Sequence, residues 1–280
     1  MFAIAIFDTL KDELYLFNDR VGIKPLYYYW DGTNFLFASE IKALKKIKSI
    51  SFDINKQGIR DFLQYGFIPT PDTIYTNIKK MEAGTFIKIS ASGIESQRYW
   101  SLQSKMKNEI ITDEKQAMVM LSDLLMSSVH YQLQSDVPFG IFLSGGIDSS
   151  LIAAHACQLS SVKVNTFSIG FEENEFDESQ YAKNISKYLG TNHHKFIVSQ
   201  KEALGLIDDI IGSYDMPFGD ASAIPTMLIS KLARNYVTVA LSGEGGDELF
   251  HGYGAYVWAK RLDSFLIKNT RNVIHSLLST

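Results

Sequence analysis

The sequence predicts an α/β protein in which a parallel sheet follows a smaller, β-rich part. Apolar runs at 139–143, 164–171 and 236–241 alternate with helix-like segments, the order that is typical of a parallel sheet. Two of these runs end in turns rich in serine and glycine. The first hundred residues instead carry short strand-like runs, including a hairpin signal at Asp31-Gly32.

The first part is predicted to contain strands and two helices. Residues 2–7 are apolar at every position, which predicts a strand buried on both faces. Ser39 is positioned to cap a short helix that ends at Lys45. The other predicted elements are strands at 14–17, 25–30, 35–37, 85–89 and 94–99, and a helix over 55–66 with Ile59, Phe62 and Leu63 on one side.

The second part begins after a polar linker at residues 101–110. Thr112 is predicted to cap a helix with one apolar stripe. That stripe comprises Ala117, Leu121, Leu124, Leu125 and Val129. Further helices are predicted over 178–189, 200–212, 226–235 and 260–280, and a further strand at 195–198.

Composition excludes several classes of function. The chain has 280 residues, 46% of them hydrophobic, and a formal net charge of −4 without a dense Lys/Arg run, so we expect no nucleic-acid partner. No apolar run approaches the roughly 20 residues that span a bilayer, so we expect no membrane partner. The chain has a single cysteine, Cys157, so no disulfide can form within it and we expect a reducing cytoplasm. Cys157 lies in an apolar stretch, which predicts a buried core position.

The turn at residues 144–150 has the chemistry of a phosphate site. Glycines between a strand and a helix let backbone N–H groups approach phosphate oxygens, and the helix N-terminus favours negative charge. Asp148 would repel a phosphate unless Mg²⁺ bridges the two. The turn lacks the lysine of a Walker loop. The alternative is an ordinary glycine-rich turn from strand to helix.

A second turn, at residues 242–248, also follows an apolar strand and carries Glu244, Asp247 and Glu248. Loops that leave the carboxyl ends of parallel strands line one crevice. We therefore expect both turns to face the same ligand.

These motifs together resemble a known family. The Ser-Gly-Gly-x-Asp-Ser pattern at 144–149 resembles the PP-loop of ATP pyrophosphatases. Combined with 242–250, with Asp136-Val137-Pro138 and with the segments 22–28 and 37–44, it resembles the asparagine synthetases. The resemblance implies part of an N-terminal-nucleophile αββα glutaminase domain over residues 1–105. A parallel-sheet PP-loop ATP-pyrophosphatase domain would follow over 106–280.

The resemblance also implies roles for single residues. Leu143 and Ile169 would contact the adenine end of ATP, and Glu244 would act in forming a β-aspartyl-AMP intermediate. Asp148 and Asp247 would hold Mg²⁺. The remaining nucleotide contacts would come from Ser144, Gly145, Gly146, Asp148, Ser149, Ser242 and Gly243.

The implied activity is that of a carbon–nitrogen ligase that converts aspartate to asparagine with ATP and ammonia, the ammonia coming from glutamine. Whether the chain forms a homodimer is left open. The alternatives are another adenylating amidotransferase, a β-lactam synthetase-like enzyme, or a non-catalytic nucleotide-binding remnant. The two alternative enzymes differ from an asparagine synthetase in the carboxylic acid that they accept. The remnant differs in having no catalytic activity.

The sequence departs from the family pattern at its start, where Met1-Phe2 offers no nucleophile for glutamine hydrolysis. We therefore expect a fragment without glutaminase activity. Two weaker features are left outside the site. His193-His194 is interpreted as structural, and residues 215–222 as either a loop that closes over aspartate or a plain turn.

Overall fold

The computed structural model describes residues 1–48, 50–106, 110–172 and 179–263. The chain divides into two compact units. The first comprises Met1–Ile110 together with Leu206–Ile224, and the second comprises Ile111–Gly205 together with Pro225–Thr280. The later segment of the first unit lies far along the chain from the rest of it. The order of the sequence motifs did not predict this arrangement.

The first unit contains two antiparallel sheets. Its strands are β1 (Ala3–Asp8), β2 (Glu13–Asn18), β3 (Tyr27–Trp30), β4 (Phe35–Ala38), β5 (Ile78–Lys80), β6 (Thr85–Ser90) and β7 (Gly93–Arg98). One sheet has the order β1-β2-β6-β7 and the other the order β4-β3-β5. The predicted hairpin is confirmed, because Trp30 of β3 pairs with Phe35 of β4.

Helices α1 (Ile41–Leu44) and α2 (Lys56–Tyr65) complete this part of the chain. Asn55 caps α2 by accepting a hydrogen bond from the backbone of Gln57, and Gly66 ends it in the left-handed conformation. The predicted helix is confirmed. Of the apolar residues on its predicted common side, Leu63 is 77% and Ile59 40% exposed, so that side is not a buried face.

Strand β1 differs most from its prediction. It was expected to be buried on both faces, but Ile6 is 51% and Phe7 is 56% exposed. The strand lies at the edge of its sheet and pairs only with β2. An apolar sequence favours burial, but burial needs neighbouring elements, and the described residues supply none for the faces of β1.

A segment that precedes the last helices of the chain is held on α1 by reciprocal helix capping. Asp215 follows α7 (Ile207–Ser213) and accepts hydrogen bonds from the backbone nitrogens of Ile41 (2.6 Å) and Lys42 (3.1 Å). In return, Lys42 Nζ donates to the carbonyl oxygens of Ser213 (3.1 Å) and Gly212 (3.4 Å). Asp215, not Ser39, therefore satisfies the N-terminus of α1.

The second unit confirms the predicted parallel sheet. Its elements are α3 (Glu114–Leu133), β8 (Phe139–Phe142), α4 (Ile147–Leu159), β9 (Asn165–Phe171), α5 (Ser179–Leu189), β10 (Asn192–Val198), α6 (Gln200–Leu204), β11 (Val239–Leu241), α9 (Gly246–Phe250) and α10 (Gly254–Leu262). Helix α8 (Ala223–Ala233) begins in the first unit and continues into the second. The strand order is β10-β9-β8-β11, and every pair is parallel.

The core of the second unit lies between this sheet and helices α3, α4 and α5. Ile141 and Leu143 from the sheet region pack with Ala153 and Ala156 of α4, all nearly inaccessible to solvent. Cys157 packs against the same cluster but is only half-buried, so the predicted core position is confirmed only in part. Burial raises the pKa of its thiol.

Two helix predictions in this region were wrong in detail. Helix α3 begins after Asp113, which accepts from the backbone of Gln116, and not at Thr112. Of its predicted stripe, Val129 is buried while Leu124 is 67% exposed. The helix predicted over 200–212 is divided at Gly205, which ends α6, because glycine stabilises a helix poorly.

Among the described residues, no helix is both long and apolar enough to cross a membrane. The part of the helix predicted over 260–280 that lies beyond Asp263 falls outside the described residues.

Candidate functional site

A cavity of about 990 Å³ opens in the second unit at the carboxyl ends of β8, β9 and β11. Ten of the eleven residues that were predicted for the site line this cavity. They are Leu143, Ser144, Gly146, Asp148, Ser149, Ile169, Ser242, Gly243, Glu244 and, for the metal, Asp247, and Gly145 is the predicted residue that does not line it. The structure therefore brings the two predicted turns to one cavity.

Hydrogen bonds of its own serine hydroxyl groups stabilise the first turn. The hydroxyls of Ser144 and Ser149 lie 2.9 Å apart, and the backbone nitrogen of Gly146 donates to Ser144 Oγ at 3.2 Å. Ser150 Oγ donates to the carbonyl oxygen of Gly146 at 2.6 Å. Helix α4 begins within this turn, at Ile147, so its N-terminal dipole favours an anion at the turn.

Gly145 lies where this turn packs closely against helix α5. Its φ of +90° is a conformation that glycine adopts readily. A Cβ atom at this position would lie 2.6 Å from both the Tyr181 Cβ and the backbone nitrogen of Ala182. Gly145 therefore allows the turn to pack on α5, a reason for glycine that the sequence motif alone did not give.

The second turn packs directly against the first. A Cβ on Gly243 would lie 2.7 Å from the Ser149 nitrogen and 2.9 Å from the Asp148 Cβ, and a Cβ on Gly246 would overlap the Asp148 carboxylate. The absence of side chains at these two glycines thus allows Asp148 to fit between the turns.

Four carboxylates border the cavity, from Asp148, Glu244, Asp247 and Glu248. None of them has a cationic partner among the residues that the structure describes. The described residues also contain no group of three His, Cys, Asp or Glu side chains that could hold a metal ion by itself. Mg²⁺ in proteins is usually held by one or two carboxylates, with phosphate oxygens and water as its other ligands.

Sequence reasoning missed Tyr253 as a site residue. Its hydroxyl donates to Glu248 Oε1 at 2.8 Å, and both side chains line the cavity. This hydrogen bond, followed by burial and the charges of Glu248, Asp247 and Glu244, raises the pKa of Tyr253 to about 12. The only signal in the sequence was its position soon after the second turn.

Sequence reasoning also missed the apolar wall. Leu121 and Leu125 of α3 contribute to it, as do Pro225, Thr226 and Ile229 of α8. These α8 residues lie more than 70 positions after the first turn in the chain. Their place in the wall follows from how α8 packs, which no local pattern reveals.

The two neighbouring histidines contact side chains of the adjacent strand, which is consistent with the predicted structural role. His193 lies between the hydroxyls of Thr166 (2.9 Å to Nδ1) and Ser168 (3.1 Å to Nε2) on the adjacent strand. Burial, and then the charges of His194 and Lys195, lower the pKa of His193. His194 points elsewhere and stacks on Phe167, with ring centroids 5.1 Å apart.

Comparisons with known proteins agree with this geometry. A family model described as "Asparagine synthase" matches residues 120–278, and one described as "Glutamine amidotransferase domain" matches residues 1–100. A putative glutamine-hydrolysing asparagine synthetase of Methanocaldococcus jannaschii is 40% identical over 268 residues, which are 94% of this chain and 51% of that protein.

Asparagine synthetase 1 of Bacillus subtilis, also named as glutamine-hydrolysing, is 37% identical over 257 residues, which are 91% of this chain and 40% of that protein. The chain thus spans about half or less of the length of these relatives. Because the asparagine synthase model covers more than half of the chain, and includes both turns of the cavity, the chain belongs to the asparagine synthase family.

Proposed function

We propose that the second unit binds ATP and uses it to activate the side-chain carboxylate of aspartate, which ammonia then converts to the amide of asparagine. The observation that carries this proposal is the contact of Gly243 and Gly246 with Asp148. It joins two turns that are rich in N–H and O–H donors at the end of a parallel sheet. A triphosphate needs such donors close together.

The roles that we assign to the individual residues are those that the family resemblance implies, and their positions around the cavity support them. Ser144, Gly146 and Ser149 would bind the pyrophosphate, with the N-terminus of α4 behind them. Ser242 and Gly243 would contact the nucleotide from the second turn. Leu143 and Ile169, two apolar residues that line the cavity, would contact the adenine. Gly145 would act by supporting the turn on α5.

The chemistry proceeds in two displacements. A carboxylate oxygen of aspartate attacks the α-phosphorus of ATP, the bond to the β-phosphate oxygen breaks, and pyrophosphate leaves. Ammonia then attacks the acyl carbon of β-aspartyl-AMP, loses a proton, and displaces AMP. The protein contributes mainly orientation and charge stabilisation, and we assign Glu244 to the first displacement.

The four carboxylates fit this reaction only together with a cation, because they would otherwise repel the phosphates. Asp148 and Asp247 would hold Mg²⁺, with the remaining ligands coming from phosphate oxygens and water. When bound, the ion would neutralise charge on the phosphates. The cavity volume of about 990 Å³ suits a nucleotide with a small acid, since ligand cavities are typically about 300–1,000 Å³.

We propose glutamine as the source of ammonia in the whole protein. The match of residues 1–100 to an amidotransferase family supports this source, as do the names of the relatives. The sequence has a single cysteine, so no disulfide can form within it, and this supports a reducing cytoplasm as the location. Ammonium replaces glutamine in the test below, so that the test depends on the second unit alone.

The test is pyrophosphate release by this chain with ATP, Mg²⁺, ammonium and a series of carboxylic acids. We expect stimulation by aspartate and formation of asparagine, and loss of both in the Asp148→Ala variant. Stimulation by a different acid would instead support a related adenylating enzyme. A folded chain that gives no heat with Mg²⁺ and ATP in calorimetry would contradict nucleotide binding itself.

A further inference from the structure

Tyr253 is brought back to the cavity by a tight reversal of the chain after α9. His251 ends that helix in the left-handed conformation with a φ of 58°. The nitrogen of Gly252 then donates to the carbonyl oxygen of Asp247 at 3.0 Å. A Cβ on Gly252 would overlap the Asp247 carboxylate. This reversal places the Tyr253 hydroxyl 2.8 Å from Glu248 Oε1.

Glu248 needs such a partner because of the charges around it. It shares the cavity with Asp148, Glu244 and Asp247, and like charges in one site repel each other and any bound phosphate. Tyr253 is its hydrogen-bond donor among the described side chains. With a pKa near 12, the phenol keeps its proton at neutral pH and acts as a donor rather than a base.

We propose that Tyr253 is a positioning residue, whose hydroxyl holds the Glu248 carboxylate in one orientation and thereby limits its repulsion of the triphosphate. This inference rests on the proposed binding of ATP in the same cavity. Without the hydroxyl, Glu248 loses its neutral donor and its charge becomes free to turn towards the phosphates. The role therefore acts through the charge of Glu248 and vanishes when that charge is removed.

The test uses three variants of the full chain and calorimetry with Mg²⁺ and ATP. Tyr253→Phe removes only the hydroxyl, and we expect a loss of affinity of about threefold to tenfold, the size that the net contribution of one ordinary hydrogen bond corresponds to. Adding Glu248→Gln to Tyr253→Phe should restore at least the original affinity. Tyr256→Phe is the matched control, since Tyr256 lies next to His251 and Tyr253 but does not line the cavity.

A second readout needs no ligand. In NMR titrations of chain labelled at the tyrosine Cζ atoms, the pKa of Tyr253 should fall from about 12 towards the ordinary value of about 10 in Glu248→Gln. An unchanged pKa of Tyr253 would overturn the inference. So would unchanged affinity of Tyr253→Phe, or a double variant that binds as weakly as the single one.

Failure of this inference and failure of the proposed function are distinguishable. If the unaltered chain binds Mg²⁺ and ATP but Tyr253→Phe binds equally well, only the role of Tyr253 is overturned. If the unaltered chain does not bind them at all, both proposals are overturned.

Discussion

Gly243 lies so close to Asp148 that a Cβ atom on the glycine would be 2.9 Å from the Cβ of the aspartate. The two residues belong to turns that are almost one hundred positions apart in the sequence and that follow neighbouring strands of one sheet. Their contact makes the two turns a single surface. The cavity therefore keeps its shape only if residue 243 is a glycine.

Substitution of this glycine should damage binding more than folding. In Gly243→Ala the new methyl group collides with backbone as well as with Asp148, so we expect a loss of stability of about 1–3 kcal/mol and a loss of Mg²⁺ and ATP binding of at least tenfold. Urea denaturation and calorimetry measure the two effects. Gly254→Ala is the control, because a Cβ there meets nothing within 4 Å. Equal affinity in both variants would show that the contact between the turns does not shape the nucleotide site.

Removal of the Asp215 cap should destabilise the first unit. Asp215→Ala leaves the backbone nitrogens of Ile41 and Lys42 without their acceptor, and loss of an N-terminal cap typically costs about 0.5–2 kcal/mol. Asp215→Asn keeps one acceptor oxygen and should lose less. Urea denaturation measures the free energy of unfolding, which should be highest for the unaltered chain, lower for Asp215→Asn and lowest for Asp215→Ala. An Asp215→Asn chain that is less stable than Asp215→Ala would contradict the capping role.

The stability of the second unit should depend on pH through His193. Burial keeps the pKa of His193 below its ordinary value of 6.5 in the folded chain, so the unfolded chain binds this proton first as the pH falls. The contribution to stability is therefore complete above about pH 7 and declines as the pH falls below about 6.5. Burial also lowers the pKa of His194, so His194 changes the stability in the same direction.

Urea denaturation at pH 7.5 and pH 5.5 measures this decline. His193→Gln should show a smaller difference between the two pH values than the unaltered chain. His251→Gln, at an exposed position, should keep the full difference. An unaltered pH dependence in His193→Gln would refute the assignment.

The thiol of Cys157 should react slowly in the folded chain. It packs against the core cluster of the second unit, and burial raises its pKa, which lowers the fraction of reactive thiolate. We expect labelling by an aromatic disulfide at pH 8 to be at least about tenfold slower in the native chain than in guanidinium chloride. A chain with Cys157→Ser and Ser92→Cys, whose new thiol lies in an exposed turn, should label at nearly the same rate in both. Fast native labelling of Cys157 would contradict its core position.

The parts of the fold and site that the sequence predicts are those encoded by neighbouring residues. A strand, a turn of small residues and a helix follow one another within about a dozen positions at 139–150, so local patterns suffice to place Ser144 and Asp148. The parallel pairing of β8 with β11 then follows from general rules for such sheets. This pairing is why the convergence of the two turns could be predicted without coordinates.

The parts that the sequence does not predict depend on contacts between distant segments. Asp215 and Ile41 are 174 positions apart, and each alone resembles an ordinary loop or helix residue. Tyr253 is close to Glu248 in the chain, but their hydrogen bond depends on the left-handed conformation of His251. β1 is a different case, because its exposure depends on what packs beside it and not on its own apolar sequence.

The most direct test of the account is amide hydrogen exchange of the unaltered chain during titration with ATP and Mg²⁺. Residues 144–150 and 242–248 should gain protection together, with the same midpoint concentration, because both turns would bind one triphosphate. Protection of one turn without the other, or at a clearly different ATP concentration, would contradict the claim that Asp148 and Gly243 belong to a single nucleotide site.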